Sequence, residues 1–171
     1  PAANHDNTTK QSTIILVTPQ TGQNLTTGKR TNYELNQAQD AQPEQMKNRA
    51  IIDMMEPGST FKIVTVGAAL NEKLVTLDTP IFCENGPWRF GGSYLHDRKY
   101  YGLIPVQDVL VKSSNIGAAK IALKLGDEKF FEYIRRFGFG QTTGIELPGE
   151  IAGLIHPPRD WSKISISRIP M

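Results

Sequence analysis

Residues 57–70 read PGSTFKIVTVGAAL and indicate where the core of the protein lies. Pro57 and Gly58 interrupt whatever precedes them, and the residues that follow predict a helix over 59–70. This helix is apolar on nearly every side, which is typical of a helix surrounded by other elements. Its one charged residue is Lys62, so the sequence places a lysine at the start of a buried helix.

Ser59 and Lys62 are three residues apart, nearly one helical turn, so their side chains share a face and lie within reach of each other. Burial favours the neutral form of a lysine, and a neutral amine is a base. A serine beside such a base is the minimal arrangement of an activated nucleophile. Ser59 also begins the helix, where free N–H groups and the helix dipole favour an oxyanion. A serine after Pro-Gly is equally an ordinary helix cap, so the pair alone does not establish catalysis.

A second polar segment, residues 112–117, reads KSSNIG and lies between two expected helices. A hydroxyl and an amide in such a connection can project together into a cleft. By itself the segment also fits a helix end followed by a cap for the next helix, with Ser114 or Asn115 in the capping position.

The flanking sequence predicts a mixture of strands and helices. The β-branched and apolar residues 13–18 lead into a turn, after which 23–27 can return as the second strand of an antiparallel hairpin. The polar residues 29–48, with Pro43 among them, predict a long connection with one short helical turn at most. Residues 78–101, rich in Gly, Pro and aromatic side chains, predict irregular packed loops.

Three helices are expected in the second half of the chain, over 105–111, 117–125 and 127–137. Pro105 fits the first turn of the first, and Asp127 is expected to cap the third. The tail beyond Gly140 predicts mostly turns.

Composition excludes several functions. The chain has 19 Lys and Arg against 17 Asp and Glu, a balance that argues against nucleic-acid binding. The three histidines are isolated and no His-x-x-x-His or Cys-x-x-Cys spacing occurs, so no metal site and no cofactor are predicted. Cys83 is the only cysteine and is expected in the core. The apolar runs fall far short of the roughly 18 residues of a membrane span.

The two polar segments, in this order, resemble the penicillin-binding proteins. Residues 55–62, MEPGSTFK, are similar to the nucleophile segment of the high-molecular-weight class B transpeptidases. Further similarity lies in 109–117 (VLVKSSNIG), 137–140 (FGFG) and 143–150 (TGIELPGE). The resemblance extends from about Thr13 to Met171 and implies an α+β fold, with a helical subdomain and an incomplete antiparallel sheet.

The resemblance implies a D,D-transpeptidase that forms a serine acyl-enzyme with a stem peptide ending in D-Ala-D-Ala and passes it to an amine of a neighbouring peptide. β-Lactams imitate that donor. Ser59 would be the nucleophile and Lys62 the general base. Ser113 would relay a proton between Lys62 and the leaving nitrogen, and the Asn115 amide would hold Lys62 and the donor backbone. The parent protein would be extracytoplasmic and anchored by a transmembrane helix outside these residues.

One motif of the family is missing from this sequence. The family's third motif, Lys-Ser/Thr-Gly, does not occur after the helices, where Lys163 is followed by Ile-Ser. We therefore expect a flexible segment over 1–12 and, over 13–171, the N-terminal portion of a transpeptidase domain. The missing strand would supply a second oxyanion N–H and a positive charge. The chain alone is then expected to acylate slowly or not at all and to leave the Ser59 helix uncovered. It is expected to stay soluble only if it is oligomeric, swapped or paired with the missing segment.

Two other interpretations use the same residues. A β-lactamase or β-lactam sensor shares the serine and lysine and differs in the lifetime of its acyl-enzyme; a hydrolase needs a base for deacylation, and no motif for one is found. A non-catalytic scaffold domain of a cell-wall assembly complex would keep the fold and bind partners. That domain would have no chemical need for all four of Ser59, Lys62, Ser113 and Asn115.

Overall fold

The computed structural model describes residues 12–29 and 39–170. The flexible segment expected over 1–12 lies outside these residues except for Ser12, so it stays a prediction. The described residues form two compact units. The first comprises the chain up to Met54 together with Gly144–Ile151, and the second comprises Met55–Thr143 together with the residues from Ala152 onward.

The first unit contains the hairpin that the sequence predicts. Strands β1 (Thr13–Val17) and β2 (Asn24–Lys29) pair antiparallel, with Thr13 opposite Lys29 and a bulge between Leu16 and Val17. The intervening turn closes through Gly22, whose positive φ of 70° suits a residue without a Cβ. The hairpin is thus confirmed.

Two one-turn helices follow, α1 (Pro43–Met46) and α2 (Arg49–Ile52). The first is the short helical turn that the sequence allowed within 29–48, and the second lies beyond that range. Pro43 begins α1 rather than interrupting the chain, because the first helical position needs no N–H donor and suits the fixed φ of proline. The returning segment joins this unit through a hydrogen bond from Ile151 N to Ile51 O of 3.0 Å.

The second unit is built around the helix predicted over 59–70. Gly58–Phe61 forms a 3₁₀ turn, and α3 (Lys62–Asn71) continues it. Most of α3 is buried, but Ile63 is 60% exposed, so one face is open where the sequence predicted burial on nearly every side.

Three helices surround α3: α4 (Val106–Val111), α5 (Asn115–Leu125) and α6 (Asp127–Arg136). The expectation that α3 would be left uncovered is therefore wrong for most of the helix and holds only for the face that carries Ile63. Small residues on α3 and α5 bring the two helices together. Side chains of both that are inaccessible to solvent include Ala68, Ala69, Ala118, Ala119 and Ala122.

The predicted boundaries of these helices shift by one or two residues. α5 begins at Asn115 rather than at Gly117, since Ser114 caps it. Asp127 is the first residue of α6, and Gly126, with φ of 77°, takes the cap position that was predicted for Asp127. Pro105 precedes α4 as its cap instead of lying in its first turn.

The loop prediction for 78–101 is wrong in part, because three short strands lie there. β3 (Pro80–Phe82) pairs antiparallel with β6 (Leu103–Pro105), and β4 (Trp88–Phe90) pairs with β5 (Ser93–Leu95). Each has three residues, too few for an alternating pattern to be visible in the sequence.

The tail contains a 3₁₀ turn, Pro158–Asp160, and a short helix, α7 (Ser165–Arg168). Arg168 donates to Ser93 Oγ at 2.6 Å and to Tyr94 O at 2.9 Å, so the tail holds the β4–β5 hairpin. Helices and small antiparallel sheets together make the fold α+β, as the sequence predicted.

Cys83 lies in the core of the second unit, 1% exposed, as the sequence predicted. Burial raises the pKa of its thiol, so it stays protonated and unreactive at neutral pH. No helix in the described part of the chain has the length and apolar character needed to cross a bilayer.

Candidate active site

Ser59 and Lys62 meet at the start of α3, as their spacing predicted. Lys62 Nζ donates to Ser59 Oγ at 2.7 Å. The 3₁₀ turn leaves Ser59 exposed, whereas Lys62 is only 1% exposed. A buried amine therefore lies behind a hydroxyl that solvent or a ligand reaches.

Ser113 completes this arrangement from a distant part of the sequence. It lies in the turn between α4 and α5 with a positive φ of 55°, and its Oγ accepts a hydrogen bond from Lys62 Nζ at 3.0 Å. Ser113 is also exposed. The amine thus bridges two exposed serines, and the second of them, Ser113, lies 51 positions after Lys62 along the chain.

Burial is the main influence on the charge of Lys62. It lowers the pKa of the ammonium below the ordinary lysine value, because a cation loses its hydration in the core. The carboxylate of Asp97 opposes this and raises the pKa in part. Because the effect of burial is larger than that of Asp97, the pKa of Lys62 is lowered, and its amine becomes neutral more readily than that of a surface lysine.

Asn115 is the first residue of α5, two positions after Ser113, and is half-buried. Its side-chain amide donates to His96 O at 3.2 Å. No hydrogen bond joins Asn115 to Lys62 among the described residues. Its role in holding Lys62 and the donor backbone stays a prediction.

Asp97 belongs to the same site, although the sequence did not single it out as a site residue. Its Oδ1 accepts from the backbone N–H groups of Asn115 and Ile116, and its Oδ2 accepts from Ser114 Oγ at 2.6 Å. An isolated aspartate in a loop has no local pattern that points to a helix 17 to 19 positions later.

The site can offer a nucleophile, a base and a second hydroxyl to a bound molecule. Ser59 and Ser113 are exposed, and Lys62 Nζ donates to the Oγ atoms of both. Within the described residues, no group of three or more His, Cys, Asp and Glu side chains is arranged to hold a metal ion.

Comparison with known proteins agrees with this fold and these motifs. The family profile described as "Penicillin binding protein transpeptidase domain" matches residues 12–170. The chain therefore belongs to the penicillin-binding protein transpeptidase domain family, and the resemblance to class B transpeptidases that the motifs indicated is confirmed.

Two relatives and one solved structure illustrate the match. Penicillin-binding protein PbpB of Mycolicibacterium smegmatis is 34% identical over 165 residues, 95% of this chain and 25% of that protein. Peptidoglycan D,D-transpeptidase FtsI of Escherichia coli is 33% identical over 158 residues, 92% of this chain and 26% of that protein. Penicillin-binding protein 3 from Mycobacterium tuberculosis, complexed with aztreonam, gives a TM-score of 0.89 at 30% identity, covering 98% of this chain and 38% of that one.

The chain spans about a quarter of the length of these curated relatives. Their names mark the family as one of peptidoglycan D,D-transpeptidases. The solved structures also confirm the fold as part of a penicillin-binding protein transpeptidase domain.

Proposed function

We propose that the protein to which this chain belongs is a penicillin-sensitive D,D-transpeptidase that cross-links peptidoglycan stem peptides through an acyl-enzyme on Ser59. The single observation that carries the proposal is the position of Lys62 Nζ, buried and bonded to both Ser59 Oγ and Ser113 Oγ. These two hydrogen bonds are the contacts that a nucleophile (Ser59), its base (Lys62) and a proton relay (Ser113) need. Membership of the transpeptidase family supports the choice of substrate.

Acylation begins with Lys62 in its neutral form. The amine removes the proton of Ser59 Oγ, and the oxygen attacks the carbonyl of the penultimate D-Ala of the donor peptide. The Ser59 backbone N–H stabilises the oxyanion that forms. Ser113 then passes a proton from Lys62 to the nitrogen of the terminal D-Ala, so that the peptide bond breaks and D-Ala leaves.

Transfer repeats these steps with a second peptide. An amine of a neighbouring stem peptide attacks the ester carbonyl, its proton returns through Ser113 and Lys62, and Ser59 leaves as the free hydroxyl. Asn115 would hold the donor backbone throughout. Protons and electron pairs balance between the two peptides and these side chains, so the mechanism requires no cofactor.

The natural partners would be stem peptides as donor and acceptor, with other cell-wall synthesis or division proteins beside them. β-Lactams would acylate Ser59 in place of the donor; the relative solved with aztreonam supports this expectation. Such substrates imply an extracytoplasmic location, with the parent protein anchored in the membrane.

The 171 residues by themselves are proposed to be impaired. They correspond to the N-terminal portion of a transpeptidase domain over 13–171, and they contain no Lys-Ser/Thr-Gly motif. Loss of one oxyanion donor alone costs about 10²- to 10³-fold in rate. The isolated chain is therefore expected to acylate slowly or not at all.

Labelling with a fluorescent penicillin tests the proposal on the full-length protein. We expect stoichiometric labelling that Ser59→Ala abolishes, because the hydroxyl that forms the ester is gone. Ser162→Ala, an exposed serine outside the site, is the matched control and should label like the wild type. Labelling that survives Ser59→Ala would contradict the proposal, and rapid loss of label would indicate a β-lactamase instead.

A further inference from the structure

The start of α5 is held from outside the helix by Asp97. The N–H groups of the first three residues of a helix have no partner within it. Asp97 Oδ1 accepts from the first two of these, with a distance of 3.1 Å to Ile116 N. Ser114 Oγ accepts from the third, Gly117 N, at 2.9 Å and in turn donates to Asp97 Oδ2 at 2.6 Å. One carboxylate and the serine that it holds thus satisfy the whole first turn.

The way the start of α5 is held also determines where Ser113 lies in the turn between α4 and α5. A non-glycine residue at a φ of 55° is held in an unfavourable backbone region, which persists only where its neighbours fix it. Ser114 N donates to Val109 O at 2.9 Å, which ties the turn to α4, and Ser114 Oγ ties it to Asp97. Ser113 lies directly before this doubly anchored residue, with its Oγ 3.0 Å from Lys62 Nζ.

We propose that Asp97 is a positioning residue of the active site, which caps α5 and so holds Ser113 against Lys62 and Asn115 beside them. The proposal rests on the proposed function and deepens it. It assigns the group that holds Ser113 and Asn115 in place next to Ser59 and Lys62. Asp97 acts through the turn and touches no reacting atom in this account.

The charge of Asp97 gives the proposal a distinct consequence. Its carboxylate raises the pKa of Lys62 against the lowering caused by burial. Among the described residues it is the one charged group that acts on this pKa. Several charged side chains on the helices around α3 form pairs of their own: Asp108 with Lys112, Lys120 with Glu84, and Lys129 and Arg136 with Glu132.

Two variants of the full-length protein separate positioning from charge. Asp97→Ala removes the cap, and we expect about a 10- to 100-fold lower second-order rate of acylation by a fluorescent penicillin, because Ser113 is displaced from Lys62. Asp97→Asn keeps an oxygen that accepts from the two N–H groups but removes the charge. We expect a smaller loss of rate, and a pH–rate profile whose acidic limb has its midpoint at lower pH.

Asp127→Ala is the matched control, because it removes an exposed carboxylate from the first turn of α6, away from the site. This variant should keep the wild-type rate and midpoint. A role of Asp97 in stability alone would reduce the fraction of active protein without moving the midpoint.

The outcomes are distinct. An Asp97→Asn variant with the wild-type rate and midpoint would overturn the inference while leaving the proposed function intact. If Asp97→Ala fails to fold, the midpoint of Asp97→Asn decides the question. A wild-type protein that is not acylated at Ser59 would overturn the proposed function, and this inference with it.

Discussion

Lys62 is placed in the core of the second unit by its position at the start of α3, and its amine ends between two exposed hydroxyls. Of the site residues, Ser59 and Lys62 were predictable as neighbours because their spacing matches a helical turn. Ser113 and Asn115 lie more than fifty positions away, and only the resemblance to a known family connected them with the first pair. Asp97 was not predicted as a site residue, because a helix cap supplied by a distant loop leaves no periodic pattern in the sequence.

Replacing Lys62 by Met should stabilise the fold while abolishing acylation. Burial lowers the pKa of Lys62 in the folded state, so between that pKa and the ordinary lysine pKa the unfolded chain binds more of the proton. Below both values the cost of burying the cation destabilises the native state in full. We expect Lys62→Met to raise the free energy of unfolding by about 0.5–2 kcal/mol near neutral pH. The gain should shrink as pH rises towards the ordinary lysine pKa, where unfolding no longer takes up the proton.

Denaturant unfolding at neutral and at alkaline pH measures this effect. Lys163→Met, on an exposed lysine, is the control and should change stability by less than about 0.5 kcal/mol at either pH. A Lys62→Met variant that is less stable than the wild type at neutral pH would show that the bonds to the two serines outweigh the cost of burial.

At the scale of elements, the helices were predictable and the short strands were not. Helices α4, α5 and α6 extend over six or more residues with clear start and stop residues, so their errors are confined to the ends. Strands β3 to β6 have three residues each and are defined by pairing partners rather than by their own composition.

Gly117 determines how closely α5 approaches α4, and so where the start of α5 lies. A Cβ at this position would lie 2.7 Å from Val109 Cγ2 and 3.0 Å from Cys83 Sγ, closer than side chains pack. We expect Gly117→Ala to lower the free energy of unfolding by about 1–3 kcal/mol, by overpacking. Acylation should also slow, because α5 carries Asn115.

Gly67→Ala is the matched control within α3. A Cβ there meets nothing within 4 Å, so the better helix propensity of alanine should raise stability by about 0.5–1 kcal/mol. Thermal unfolding of both variants compares the two positions directly. Equal effects at Gly67 and Gly117 would contradict the close packing of α4 and α5.

For the whole molecule, the sequence predicted the α+β class and the core, but not which helices cover α3. The packing of these helices on α3 depends on small side chains of α5. Their contacts follow from three-dimensional packing rather than from any local sequence pattern.

The β1–β2 hairpin of the first unit exposes apolar side chains, which suggests self-association of the isolated chain. Ile14, Ile15, Leu16 and Leu25 are each about half exposed or more, and an isolated two-stranded hairpin is only marginally stable. A long apolar edge is a site for pairing with another chain. We therefore expect the 171-residue chain to sediment as oligomers.

A charged residue on the edge should weaken this association. Ile15→Lys is expected to shift the sedimenting species towards the monomer, whereas Thr26→Lys, an exposed polar position on β2, should change it less. A wild-type chain that is monomeric at high concentration would contradict the prediction.

The central claim is that Ser59 becomes covalently acylated with Lys62 as its base. Its most direct test is peptide mapping by mass spectrometry of the full-length protein after treatment with benzylpenicillin. We predict one added penicilloyl group, located on the peptide that contains Ser59 and absent from Ser59→Ala. An adduct on Ser113 or another residue, or no adduct on a folded protein, would contradict the account.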